Sequence, residues 1–279
     1  MGVGMPWFPD FTNAVELARR ETRAAGLTDP AMQYLSALNA GDARVLETVW
    51  PGEVVVYDPR AGVIRGHRQL HQFIRTNHSS LAARHAEIEP VASTCHGRRA
   101  VLEFVAHLRG NDGPDVDWPV AVVCESPDEL SVVFRTYCSQ VPVDGRRHVR
   151  PAILSPTDAR PPEIVDRYLA AMDTGDADAI VATFAPDGYY RSPIGPHAGH
   201  RGATELLAYF TEQVGAGGVS RQLGSVTDNG RTCVVEHNFV RWGHTQLRPQ
   251  AGLSVYERGA GGLLASVRDY DDVEPPAPR

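Results

Sequence analysis

Tyr168-Leu-Ala-Ala-Met-Asp-Thr-Gly-Asp176 repeats Tyr34-Leu-Ser-Ala-Leu-Asn-Ala-Gly-Asp42, and this repetition decides the fold. In each copy a tyrosine leads an amphipathic run that closes on Gly-Asp. A second amphipathic run ends at Trp50 in the first copy and at Phe184 in the second. An aromatic, strand-like segment follows, ending Val56-Tyr57-Asp58-Pro59 in one and Tyr190-Arg191-Ser192-Pro193 in the other. From Tyr34 to Pro59 and from Tyr168 to Pro193 the register holds without a gap. A long internal period fixes the domain count before anything else is read. In a chain of 279 residues it means two globular units rather than a solenoid, in line with a prior of roughly 150 residues per domain.

Working outward, the first copy predicts a helix over 30–40, broken at Gly41-Asp42, with Asp42 as N-cap of a short helix over 43–49. A β-branched strand over 53–57 and a third helix from His67 to about Ser79 come next. Leu70, Phe73 and Ile74 in that helix recur at three- and four-residue spacing. Antiparallel strands are expected over 87–94, 100–108, 118–124 and 131–141. The second copy repeats the order, with helices over 162–174, 178–184 and 204–214, a strand over 188–191, and strands near 220–227, 232–242, 251–257 and 263–271. Helices followed by a run of strands make an α+β domain, its helices laid on one curved, mostly antiparallel sheet. The space between helices and sheet is a cone suited to a small molecule. The expected division is a leader helix (1–29), a first domain (30–143), a Pro/Arg linker (144–161), a second domain (162–274) and a tail (275–279).

Composition removes several classes of function. The formal net charge is −7 with no basic block, which argues against a nucleic-acid partner. No stretch approaches the eighteen or so apolar residues of a membrane helix, and the N-terminus lacks the basic and apolar regions of a signal peptide, so a cytoplasmic protein is expected. Arginine occurs without any lysine, which excludes Schiff-base chemistry and lysine-anchored pyridoxal phosphate. Arginine with abundant alanine, glycine and proline suggests a bacterial gene rich in GC. Cys95, Cys124, Cys138 and Cys233 show no C-x-x-C spacing and read as idle thiols. His197 and His200 form His-x-x-His in a glycine-rich loop with no third ligand nearby, so no metal is expected. Phosphate-binding loops, nucleophile elbows and dinucleotide fingerprints are missing too, and no cofactor is expected.

Tyr-Leu-x-x-x-[Asp/Asn]-x-Gly-Asp, a short helix, and an aromatic strand ending [Asp/Ser]-Pro before a Gly-led helix resemble the NTF2-like superfamily. Within it, the nearer resemblance is to ketosteroid isomerases and SnoaL-like polyketide cyclases. The tandem arrangement resembles the polyether epoxide hydrolase/cyclases in architecture. The resemblance implies two cone domains and several possible reactions, because this fold hosts isomerases, cyclases, dehydratases, epoxide hydrolases and plain binders. It aligns Tyr34 and Tyr168 with the isomerase tyrosine that donates to a developing enolate, and Asp58 with the proton-shuttling aspartate. Ser192 holds that aspartate's position in the second copy. Asp269, in Val267-Arg-Asp-Tyr270, resembles the acid of SnoaL-like and limonene-epoxide-hydrolase-like strands, where the first copy has Thr136. The second oxyanion donor of the isomerases aligns with Ala121 and with a residue near Leu253 or Ser254. The epoxide-hydrolase Arg/Asp partners fall on His237 and Phe239.

Each candidate has a plainer reading. Asp58-Pro59 is good turn chemistry, Tyr34 and Tyr168 can be core aromatics, and Asp269 can be a charged strand end facing water. If the last strand alternates, Val267 and Asp269 share one face and Arg268 and Tyr270 the other. Of His237 and Asn238, only one can face inward. The expected catalytic set is Asp269 as acid/base, Tyr168 as donor and His237 as helper, the first copy being either a second site on Asp58 and Tyr34 or a structural partner. Tyr190, Ser192, His197, Asn238 and Trp118 are the candidates for substrate binding. The function these imply is a cofactor-independent acid/base enzyme acting on an apolar small molecule in bacterial secondary metabolism, as isomerase, cyclase, dehydratase or epoxide hydrolase. The alternative is a non-catalytic binding or scaffold protein, and either a homodimer or an intrachain pseudo-dimer fits the duplication.

Overall fold

A computed structural model describes residues 30–110, 114–195, 198–214 and 216–273. The expected leader helix, the tail and His197 lie outside these residues. The chain separates into two compact units, 1–138 and 139–279.

The first unit runs α1 (Pro30–Ala40), α2 (Arg44–Val49), β1 (Val54–Asp58), β2 (Gly62–Arg65), α3 (His67–Ala83), β3 (Glu87–His96), β4 (Arg99–Leu108), β5 (Val116–Glu125) and β6 (Val132–Tyr137). The second runs α4 (Val141–Asp144), α5 (Glu163–Thr174), α6 (Ala177–Val181), β7 (Phe184–Arg191), β8 (Gly199–Arg201), α7 (Gly202–Val214), β9 (Val219–Asp228), β10 (Thr232–Trp242), β11 (Thr245–Arg258) and β12 (Leu264–Asp269). The sheets order as β2-β1-β6-β5-β4-β3 and β8-β7-β12-β11-β10-β9. Pairing is antiparallel throughout except β1 with β6 and β7 with β12. These are the two α+β cone domains.

The repeated motif has a local cause. Gly175 ends α5 in the left-handed conformation (φ 76°), its N–H bonded to Ala171 O, and Gly41 sits at φ 65° after α1. Asp176 then caps α6, Oδ1 accepting from Ala179 N at 2.9 Å. Asp42 meets its helix differently: its carboxylate accepts from both the backbone and the guanidinium of Arg44. The third helix, α3, continues past Ser79 to Ala83 because Leu81, Ala82 and Ala83 are strong helix formers.

The leading tyrosines are buried in both cores. Tyr34 stacks on Phe134 with ring centroids 4.4 Å apart. Tyr168 meets Phe184, Phe210 and Tyr256 edge-on at 5.5–6.2 Å, geometries that aromatic quadrupoles favour.

Residues 139–161, which include the Pro/Arg stretch, pack within the second unit. Pro151 bridges to Gln250, Ala251 N donates to Arg150 O, and Thr157 N donates to Leu223 O. Asp272 holds the start of this segment, accepting from Ser139 Oγ, Gln140 N and His148 N at 2.5–2.9 Å.

A Cβ on Gly175 would lie 2.5 Å from Val214 O and 2.7 Å from Gly218 N, both backbone atoms, whereas on Gly41 it would meet only the His78 ring, at 3.0 Å. Left-handed backbone alone costs a non-glycine residue roughly 1–2 kcal/mol. Gly175→Ala is therefore expected to destabilise the protein well beyond that and Gly41→Ala to stay near it, as urea unfolding would measure. Equal losses would contradict this.

Candidate functional site

The site is built by strand alternation at the end of β12. Antiparallel pairing sets Asp269 directly opposite Ser254 on β11, and the parallel pairing sets Val267 opposite Tyr190 on β7. Val267 and Asp269 therefore face the helices, while Arg268 turns to Ser266 and Glu257. Ser254 Oγ donates to Asp269 Oδ1 at 2.5 Å and Tyr190 OH donates to Oδ2 at 2.8 Å. Tyr209, on α7, donates in turn to Tyr190 OH at 3.4 Å and stacks on His200 at 4.2 Å. Burial holds the Tyr190 phenol well above its ordinary range, with the Asp269 charge adding to the effect, and pushes Tyr209 up to about 12. Both phenols thus remain proton donors, and the chain of hydroxyls ends on the carboxylate.

This carboxylate lines a cavity of about 290 Å³ whose wall is largely Tyr190, Tyr209, Phe210, Phe239, Trp242 and Leu253. Arg221, on β9, also lines it, with Cζ 4.9 Å from the Phe239 ring centroid. Its Nε and Nη1 are buried without a hydrogen-bond partner. Asp271 and Asp272 complete the acidic side, but both are engaged. Asp271 accepts from Leu253 N and pairs with Arg150 at 3.2 Å; burial pushes it up to about 7 against the pull of that guanidinium.

The ladders of the two units can be superimposed pair by pair, including a β-bulge after Pro90 in one and before His237 in the other. Where the second unit has Tyr190, Arg221, His237, Ser254 and Asp269, the first has Val56, Ile88, Phe104, Val122 and Thr136. All the ionisable groups of the set fall in one unit.

Comparison with known proteins matches the SnoaL-like domain profile twice, over residues 31–134 and 165–267. The chain belongs to the SnoaL-like family. Solved structures similar to this family member include a candidate polyketide cyclase from Sinorhizobium meliloti. It is 23% identical, over 39% of this chain and 94% of that one, with a TM-score of 0.33. A SnoaL-like protein of unknown function from Burkholderia thailandensis is 16% identical over 39% and 91%, TM-score 0.33. A protein with a ketosteroid isomerase-like fold from Catenulispora acidiphila, in complex with trimethylamine, is 22% identical over 41% and 88%, TM-score 0.35. A comparison with curated proteins found no match.

Within the SnoaL-like frame, Asp269, Tyr190 and Ser192 line the cavity. Tyr168 and His237 do not. Tyr168 is locked among core aromatics, its hydroxyl buried without a partner, and burial drives its phenol well above the ordinary range. His237 lies on the inward face but behind Phe239, which it meets edge-on at 4.7 Å; Nδ1 faces Val235 O at 3.3 Å. Asn238 points to the other face and donates to Leu154 O at 2.9 Å, so it is not a cavity residue. In the first unit, Asp58 Oδ1 accepts from Arg60 N and Ala61 N at 2.9 and 2.8 Å, the turn role that Asp-Pro suggests. Tyr34 stays buried, with burial and then the Asp58 charge raising its phenol. Trp118 is half-buried on β5, on the rung with Ala106. Among the described residues no group of three or more His, Cys, Asp or Glu is arranged to hold a metal.

Sequence reasoning missed Arg221, Tyr209, Asp271 and the donor role of Ser254. Arg221 had a signal: it alternates with Val219 and Leu223 on a strand whose inward positions are otherwise apolar.

Burial pushes His237 well below its ordinary 6.5, and the positive Arg221 adds to this. The folded ring therefore refuses a proton that the unfolded chain accepts. Its contribution to stability is present above about pH 6.5 and lost as pH falls below it. His237→Gln should flatten the decline in thermal midpoint between about pH 7 and 5; an unchanged slope would refute the assignment.

Proposed function

We propose that the second unit is a cofactor-independent acid/base site that moves a proton on a small, largely apolar molecule, with Asp269 as the base. The observation that carries this reading is the Asp269 carboxylate set into an aromatic cavity beside two aspartates already engaged by backbone and arginine, with each of its oxygens held by one hydroxyl donor. Each oxygen keeps a further acceptor site. A C–H or O–H proton taken there is returned to a second atom of the same molecule for isomerisation or cyclisation, or to a departing hydroxyl for dehydration. Protonating an epoxide oxygen from the acid form is the same step reversed. Fixed donors and a dry wall lower the reorganisation such a transfer requires. Tyr190 and Ser254 hold the carboxylate in line, and the Tyr209–Tyr190 pair keeps water from competing for it.

The first unit is read as non-catalytic. Its five equivalent positions hold one hydroxyl and no ionisable side chain, and Asp58 is committed to a turn. The arginine-only composition and four buried cysteines, none in a disulfide, support a bacterial cytoplasmic setting for a biosynthetic enzyme.

A carboxylate base in an apolar cavity is assayed without knowing the substrate by the ring opening of 5-nitrobenzisoxazole. Loss of one C–H proton to the base breaks the N–O bond and releases a coloured cyanophenolate. The wild type should accelerate this reaction over acetate, Asp269→Asn should lose about 10²-fold or more, and Asp58→Asn should match wild type. Full activity in Asp269→Asn would overturn the proposal.

A further inference from the structure

No hydrogen bond or ion pair holds the Arg221 guanidinium among the described residues. Nε and Nη1 are buried and unbonded, the face of Phe239 lies against it, and the Asp269 charge reaches it without a direct bond. Every acidic group around the same cavity is already occupied. Asp269 takes Tyr190 and Ser254, Asp271 takes Arg150 and Leu253 N, and Asp272 takes Ser139, Gln140 and His148 N. Burying an uncompensated charge is costly, and a buried pair broken by loss of one member is worse than no pair at all. The first unit avoids the problem, with Ile88 at this rung of the ladder. Retaining an arginine here follows if its counter-ion arrives with the ligand.

We propose that the molecule bound in the second unit carries a carboxylate, and that Arg221 is the residue that selects it. One planar guanidinium matches one planar carboxylate, its fork donating two parallel hydrogen bonds to the two oxygens. A phosphate dianion calls for more donors than one fork presents, and Arg147, the other arginine of the lining, is turned to Val273 O. The body of the ligand is apolar and flat, to lie between Phe239, Trp242 and Tyr209 in about 290 Å³. The Arg221 charge also acts on Asp269, which offsets the repulsion an anionic substrate meets near an anionic base. This deepens the reading of the site given above, naming its substrate class.

Binding tests it independently of turnover. The full chain is titrated calorimetrically at pH 7.5 with 2-naphthoate and with naphthalene-2-carboxamide, which share shape but not charge. The wild type should bind naphthoate at least tenfold tighter. Arg221→Met should abolish that preference and Arg221→Lys should retain part of it, while Asp269→Asn should keep or increase it. Equal affinity of the wild type for the two probes would overturn the inference even if Asp269 proves to be the base. Tight, Arg221-dependent naphthoate binding with no role for Asp269 in ring opening would leave the inference standing and remove the catalytic reading. Should Arg221→Met fail to fold, the wild-type ratio and Arg221→Lys still decide.

Discussion

The parallel pairing of β7 with β12 is the constraint on which the site depends. It joins a strand that follows the first three helices of the unit to the last strand of the chain, with α7 and three long strands in between. Loop-closure cost makes such non-local pairing slow to form, but it brings two distant side chains together on one face of the sheet. Tyr190 lands beside Asp269, and the antiparallel neighbour β11 brings Ser254 to its other flank. A slip of one residue would turn the carboxylate to the outer face and Arg268 inward.

The same ladder explains what duplication did. Two units with the same order of strands and the same bulge have diverged at the inward rungs, while both still bury a glutamate on the outward side of the second long strand: Glu103 in one, Glu236 in the other. Fold and site are separable in this chain. The positions that set backbone geometry repeat, as Gly41 and Gly175 do, and those that set chemistry do not.

Reading the sequence recovered the architecture because turn and cap residues speak locally. A glycine that must be left-handed and an aspartate that caps the next helix have the same meaning wherever they occur. The site was legible only in part, since it depends on facing and depth. Alternation put Asp269 with Val267 correctly, and allowed only one of His237 and Asn238 inside. What alternation does not give is depth: His237 and Tyr168 face inward yet are screened by Phe239 and Phe210. Asp58 was ambiguous because the same dipeptide serves a turn and a base, and in the structure its Oδ1 takes two backbone N–H groups of the turn. Arg221 alternates with Val219 and Leu223 up to the bulge at Gly224, but counting along a strand does not tell whether an inward arginine meets an acid or is left without one.

Asp272 gives the segment between the repeats a meaning its proline content conceals. A carboxylate that is only 5% exposed takes a hydroxyl and two backbone amides from Ser139, Gln140 and His148, all well ahead of the helix at Glu163–Thr174 that opens the second repeat. The segment is therefore part of the second unit's own wall, and its Arg147 lines the same cavity. Anyone dissecting the halves should cut before Ser139. A cut at the prolines would strand Asp272 in a dry place with nothing to hold and open one side of the chamber it helps to close.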